Sequence, residues 1–132
     1  MSFLLQRDTC TACIRKVPWV TGRVLQHQGA LYVSAVTVMT LELWLTHWKT
    51  PSRYLQTYAA LMQGLAVLSV DESVAHRAAG IGTRLRIQGR PLNTVDLLIA
   101  ATALEHSLTL VTHVTQVYAS VPGLAVVDWL VP

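Results

Sequence analysis

The chain has 132 residues, 52% of them hydrophobic and only 13% charged, which predicts a single domain over residues 1–132. That much apolar surface excludes intrinsic disorder, and so sparse a charged surface suggests that a partner, most simply a second copy in a homodimer, covers part of it. The formal charge of +3 permits an anionic partner, but the basic residues are scattered without a run of five, which excludes a polybasic membrane anchor or a disordered basic arm.

In chain order, Phe3-Leu4-Leu5 reads as a short strand, and Asp8 is well placed to cap the helix that follows. Pro18 to Gln28 is a second helix, with proline in its first turn and Gly29 just past its end. Leu31 to Ala35 is the next strand. Thr37 to Trp48 then places Leu41 with Leu45, and Trp44 with Trp48, at i, i+4 spacing on a broadly apolar helix. Pro51 and Ser52 open a helix to about Gly64, and Val67 to Val70 is the third strand. Asp71-Glu72 starts a helix through Ile87, acidic at its head and basic at its tail as the helix dipole favours. After a loop at 88–93, Thr94 to His106 is the strongest helix, and Leu108 to Thr112 and Leu124 to Val127 are the last strands. Apolar strands alternating with helices predict a three-layer α/β/α sandwich on a central, mostly parallel sheet. In such a fold ligands bind beyond the carboxyl ends of the strands, where segments 6–8, 36–40, 93–96 and 112–115 should meet.

Cys10 and Cys13 are too few for a disulfide framework and favour a cytoplasmic protein. Their spacing admits a redox pair or half a zinc site, but also two small buried residues on one helical face. No run of eighteen apolar residues occurs, so no membrane span is expected.

The chain resembles the PIN-domain proteins of the VapC type, the toxin halves of bacterial toxin–antitoxin pairs. The matching stretches are Phe3-Leu4-Leu5 with Asp8-Thr9-Cys10, and the run Val33-Ser34-Ala35-Val36-Thr37-Val38-Met39. They continue with Gly89 to Ala101 (GRPLNTVDLLIAA), Thr109 to Thr112, Val121 to Leu124 and Asp128-Trp129. The resemblance spans the chain in order and implies an endoribonuclease dependent on Mg²⁺ or Mn²⁺. Its clustered carboxylates would give a hard cation its oxygen ligands, and the metal would activate water.

At most of those positions this sequence differs. The family's first aspartate falls on Gln6, the threonine after it on Arg7, its helix-opening glutamate on Thr40, and a fourth acidic or amide position near His113 and Val114. Asp96 remains in place, and Asp8 matches an additional acidic position. Asp96 can be a dipole-favoured helix residue or a weak metal ligand and catalytic group, and Asp8 a helix cap or its companion ligand. Arg7, with Arg90 from the basic cluster just before the Asp96 segment, suits phosphate or RNA, whereas a plain ion pair between Arg7 and Asp8 or Asp96 is the alternative. Glu42 cannot slide into the vacated glutamate position, since two residues on a helix rotate a side chain by roughly 200°. Trp44 and Trp48 read as core or dimer contact in preference to a base-stacking platform.

Three functions remain: a weakly metal-bound ribonuclease, a catalytically impaired PIN domain that binds RNA or an antitoxin-like protein, and a structural subunit. The impaired, partner-binding domain is the preferred expectation, and the ribonuclease toxin its alternative.

Overall fold

The structure, a computed structural model, describes residues 1–132. Five strands form one sheet: β1 (Phe3–Leu5), β2 (Leu31–Ser34), β3 (Ala66–Leu68), β4 (Thr109–Val111) and β5 (Val126–Val127). Their order is β3-β2-β1-β4-β5, and every neighbouring pair is parallel. Seven helices connect or follow them: α1 (Arg7–Ile14), α2 (Pro18–Gln26), α3 (Ala35–Leu45), α4 (Tyr54–Gln63), α5 (Glu72–Ile87), α6 (Thr94–Glu105) and α7 (Thr115–Tyr118).

Strand β1 explains the layering. Successive side chains of a strand point to opposite faces, so Phe3 and Leu5 enter one core and Leu4 the other. All three are buried, as a strand covered on both faces requires. The first core adds Ile14 of α1, Leu41 and Leu45 of α3, and Trp129. The second adds Leu85 of α5, Ile99 and Ala103 of α6, and Tyr118 of α7. Helix α2 packs outside α1 through Val20, against Ala12 and Cys13. The predicted three-layer sandwich is therefore the observed one.

Local chemistry sets most helix starts. Asp71 accepts from Val74 N–H at 2.9 Å, Asn93 from Asp96 N–H at 2.8 Å, and Ser34 from Val36 N–H at 3.1 Å. Pro18 opens α2, and Gly29, at φ +87°, turns the chain back toward β2 in a conformation that disfavours a side chain. The α1 cap differs from expectation: Gln6 occupies that position and accepts from Arg7 N–H at 2.9 Å, leaving Asp8 inside the first turn. Helix α3 starts earlier and stops at Leu45, so Trp48 lies beyond it and is 83% exposed. Trp48 is therefore not core, while Trp44 is half-buried against the first core. Helix α7, one turn without apolar periodicity, was not foreseen. No helix is long and apolar enough to cross a membrane.

The chain runs outward from β1 through β2 to β3, then returns to add β4 and β5 on the other side. The order reverses between β1 and β4, and a crevice opens beyond their carboxyl ends at such a switch point.

Cys10 and Cys13 are free and buried, which fits small core residues. Burial pushes the Cys13 thiol up to about 11 from an ordinary 9.0. Burial also raises Cys10, and the neighbouring Cys13 and Asp8 add to that. A nucleophilic redox pair needs the opposite shift. Both thiols should resist iodoacetamide at pH 8 in the native protein and react on unfolding; fast native labelling would restore the redox reading. Because the unfolded thiols ionise first, stability should be intact below pH 9 and fall between 9 and 11.

Candidate functional site at the strand edge

A cavity of about 480 Å³ opens at the switch point. Its lining draws on all four segments singled out in the sequence: Gln6, Arg7 and Asp8 after β1, Thr37 and Thr40 on α3, Val95 and Asp96 on α6, and Val114 after β4. Thr11, Arg15 and Trp44 complete it. On α1 the lining residues Asp8, Thr11 and Arg15 stand at i, i+3, i+7, and on α3 Thr37, Thr40 and Trp44 repeat that spacing, so each helix presents one stripe. Arg90 is not brought in; its Nη1 donates to Ser120 Oγ at 3.2 Å, outside the cavity. Glu42 also stays out and accepts from Tyr58 Oη at 2.8 Å on the surface.

Both carboxylates in the cavity are engaged by protein donors. Asp8 Oδ1 accepts from Thr9 N–H at 2.7 Å, and Oδ2 accepts from Thr112 Oγ1 and from His113 N–H, each at 2.9 Å. Asp8 thereby ties the start of α1 to the end of β4 and makes no ion pair with Arg7. Asp96 Oδ1 accepts from Tyr118 Oη at 3.0 Å, and Tyr118 Oη accepts in turn from Gln6 Nε2 at 2.9 Å. Thr37 Oγ1 stands 3.4 Å from Gln6 Oε1, a weak link at the far end. Tyr118 is buried, and burial together with the Asp96 charge raises its phenol well above the usual range. Its proton is thus held and donated to Asp96. Thr40 turns its hydroxyl inward, donating to Thr37 C=O at 2.8 Å.

Does this set of atoms suit a divalent cation? Mg²⁺ wants hard oxygens in an octahedral shell, with carboxylates supplying charge. Two carboxylates line the cavity, and two guanidinium groups, Arg7 and Arg15, cancel them. No three Asp, Glu, His or Cys side chains are grouped to hold a metal. One oxygen, Asp96 Oδ2, has no protein donor. The residues present do not fit a tightly held metal ion.

Comparison with known proteins follows the fold and the rim. A PIN domain model matches residues 19–116, most of the chain. The chain belongs to the PIN-domain family. This PIN domain is 31% identical over 130 residues to the tRNA(fMet)-specific endonuclease VapC of Shigella flexneri, covering 98% of each. Its fold superposes on the DNA-bound VapBC structure from Salmonella typhimurium with a TM-score of 0.89, at 26% identity and 98% coverage of both chains. It also matches FitAcB from Neisseria gonorrhoeae at a TM-score of 0.78 and 26% identity, over 98% of this chain and 99% of that one. The PIN fold and VapC-type kinship inferred from the residue 89–101 motif therefore hold over nearly the whole chain.

Sequence reasoning missed Tyr118 and Arg15. Arg15 was recoverable from its helical spacing to Asp8 and Thr11. Tyr118 gave no signal, because it reaches Gln6 across 112 positions from a helix of one turn. Tyr118→Phe removes a donor from Asp96 and an acceptor from Gln6 together and should cost about 1–3 kcal/mol in urea unfolding. Gln6→Ala should then cost less in the Tyr118→Phe background than alone. Strict additivity would mean that the three side chains do not act as a unit.

Proposed function

We propose that this chain is a VapC-like PIN domain that has given up metal-dependent cleavage and works by binding, with an antitoxin-type protein as its partner. The observation that carries the reading is the Gln6–Tyr118–Asp96 chain of hydrogen bonds. It closes with neutral and singly charged groups the place where the resemblance leads one to expect converging carboxylates. A carboxylate at position 6 would face Tyr118 as a second acceptor for one phenolic proton, so the phenol and Gln6 suit each other. The kinship supports the partner: the similar Salmonella and Neisseria structures are VapBC and FitAcB complexes.

A second copy belongs to the same proposal. Met39 and Leu43, one turn apart on α3, are 53% and 66% exposed, an apolar pair that a homodimer would cover. A cytoplasmic location fits as well, supported by the two free thiols. The alternative, a Mg²⁺-dependent endoribonuclease toxin, draws support from the unbonded Asp96 Oδ2 and from the activity named for the Shigella relative. On that alternative Asp96 and Asp8 would be the metal-binding and catalytic pair, with waters and substrate phosphates filling the shell.

Restoring the acidic positions decides between the two. The protein should not cleave RNA in millimolar Mg²⁺ or Mn²⁺, whereas Gln6→Asp, Thr40→Glu and Val114→Asp combined should gain metal-dependent cleavage. Cleavage by the unaltered protein that disappears in Asp96→Asn would instead establish the endoribonuclease.

A further inference from the structure

The charged side chains of the strand-edge cavity, Arg7, Asp8, Arg15 and Asp96, cancel in sum but not in place. Neither guanidinium lies within 4 Å of a carboxylate. The Asp8 oxygens already take donors from Thr9, Thr112 and His113. Asp96 differs, because Oδ1 accepts from Tyr118 while Oδ2 has no protein donor. The cavity thus presents two unpaired cationic groups from α1 and one open anionic acceptor from α6.

The rest of the wall narrows the ligand further. Its volume of about 480 Å³ is that of a small-molecule site, but its apolar lining is only Trp44, Val95 and Val114, too little for a ligand without polar groups. The Arg15 guanidinium sits 5.3 Å from the Trp44 centroid, which holds that cation in place before anything binds. Val95 and Val114, from α6 and from the loop after β4, are each 38% exposed and give the mouth an aliphatic patch. A polyanion would pair with the guanidiniums but meet Asp96, and a cation would meet the reverse. A ligand neutral in sum and divided in place satisfies both ends.

We propose that the cavity binds a small zwitterion, an α-amino acid with an aliphatic side chain. Its carboxylate lies on Arg7 and Arg15, its ammonium on Asp96 Oδ2, and its side chain against Val95 and Val114. Guanidinium and carboxylate are planar, charge-assisted partners, and an ammonium is a pure donor, which suits an oxygen that lacks one. The inference rests on the non-cleaving reading above: it leaves the site without a metal and gives it a ligand class of its own.

Isothermal titration calorimetry of the full chain with L-leucine tests it, beside N-acetyl-L-leucine, which lacks the cation, and L-leucinamide, which lacks the anion. L-leucine should saturate the protein with a Kd of about 1 mM or below, and each half-charged relative should bind about tenfold more weakly or worse. Arg15→Gln should weaken L-leucine about tenfold. Asp96→Asn should do likewise yet tighten N-acetyl-L-leucine, because the carboxylate no longer meets a like charge; a purely structural role for Asp96 would weaken both. Circular dichroism checks that each variant folds, and Arg15, an exposed side chain, tests the site independently of Asp96. No saturable heat with L-leucine, equal binding of the half-charged relatives, or full affinity in Arg15→Gln would each overturn the site. The two proposals fail separately. RNA left uncut in millimolar Mg²⁺ by a protein that takes no L-leucine overturns this one alone, and RNA cut by a protein that binds L-leucine overturns the earlier one alone.

Discussion

One hydrogen-bond chain, from Gln6 through the Tyr118 phenol to Asp96, holds the strand edge of this PIN domain together. It joins the end of β1 to the head of α6 and the last residue of α7, close to where the sheet order reverses. Helix N-termini carry positive partial charge, and α1, α3 and α6 all begin at this edge. A cluster of carboxylates there needs a cation to offset its mutual repulsion. An amide and a phenol need none, because each donor finds an acceptor within the protein. Tyr118 also belongs to the second core, so the polar link is anchored by apolar packing.

Asp8 makes the same point from the other strand. Its two oxygens take donors from Thr9, Thr112 and His113, clamping β1 to β4 beyond their paired residues. A carboxylate so engaged is a structural brace, and a metal would have to displace protein donors to reach it. With Arg7 and Arg15 on the same rim, the local charge sums to zero. On the proposed reading, a rim neutral in charge holds no divalent ion firmly, and the domain is retained for what it binds.

Most of the fold was legible because burial leaves a periodic trace. The strands show as short apolar runs, Asp71 and Asn93 announce their helices, and Pro18 and Gly29 bracket α2. The residues at the edge were legible too, since topology dictates which loops converge there. Their partners were not. Asp8 resembles a cap in sequence, yet Gln6 takes that place, because which of two neighbours turns its side chain back on the helix depends on the contacts from β4. Tyr118 lies on a turn too short for periodicity, and its role exists only through a contact across the fold. That α3 ends at Leu45 was concealed because Trp48 continues the i, i+4 spacing of Trp44 past the helix end.

The affinity of the strand edge for a divalent ion is the quantity on which these readings turn, and Mn²⁺ titration followed by electron paramagnetic resonance measures it without substrate. Free Mn²⁺ should persist at stoichiometric metal up to millimolar concentrations, with Asp96→Asn titrating indistinguishably from the unaltered protein. One tightly held ion per chain, lost on Asp96→Asn, would contradict the claim that too few unengaged oxygens meet at that rim.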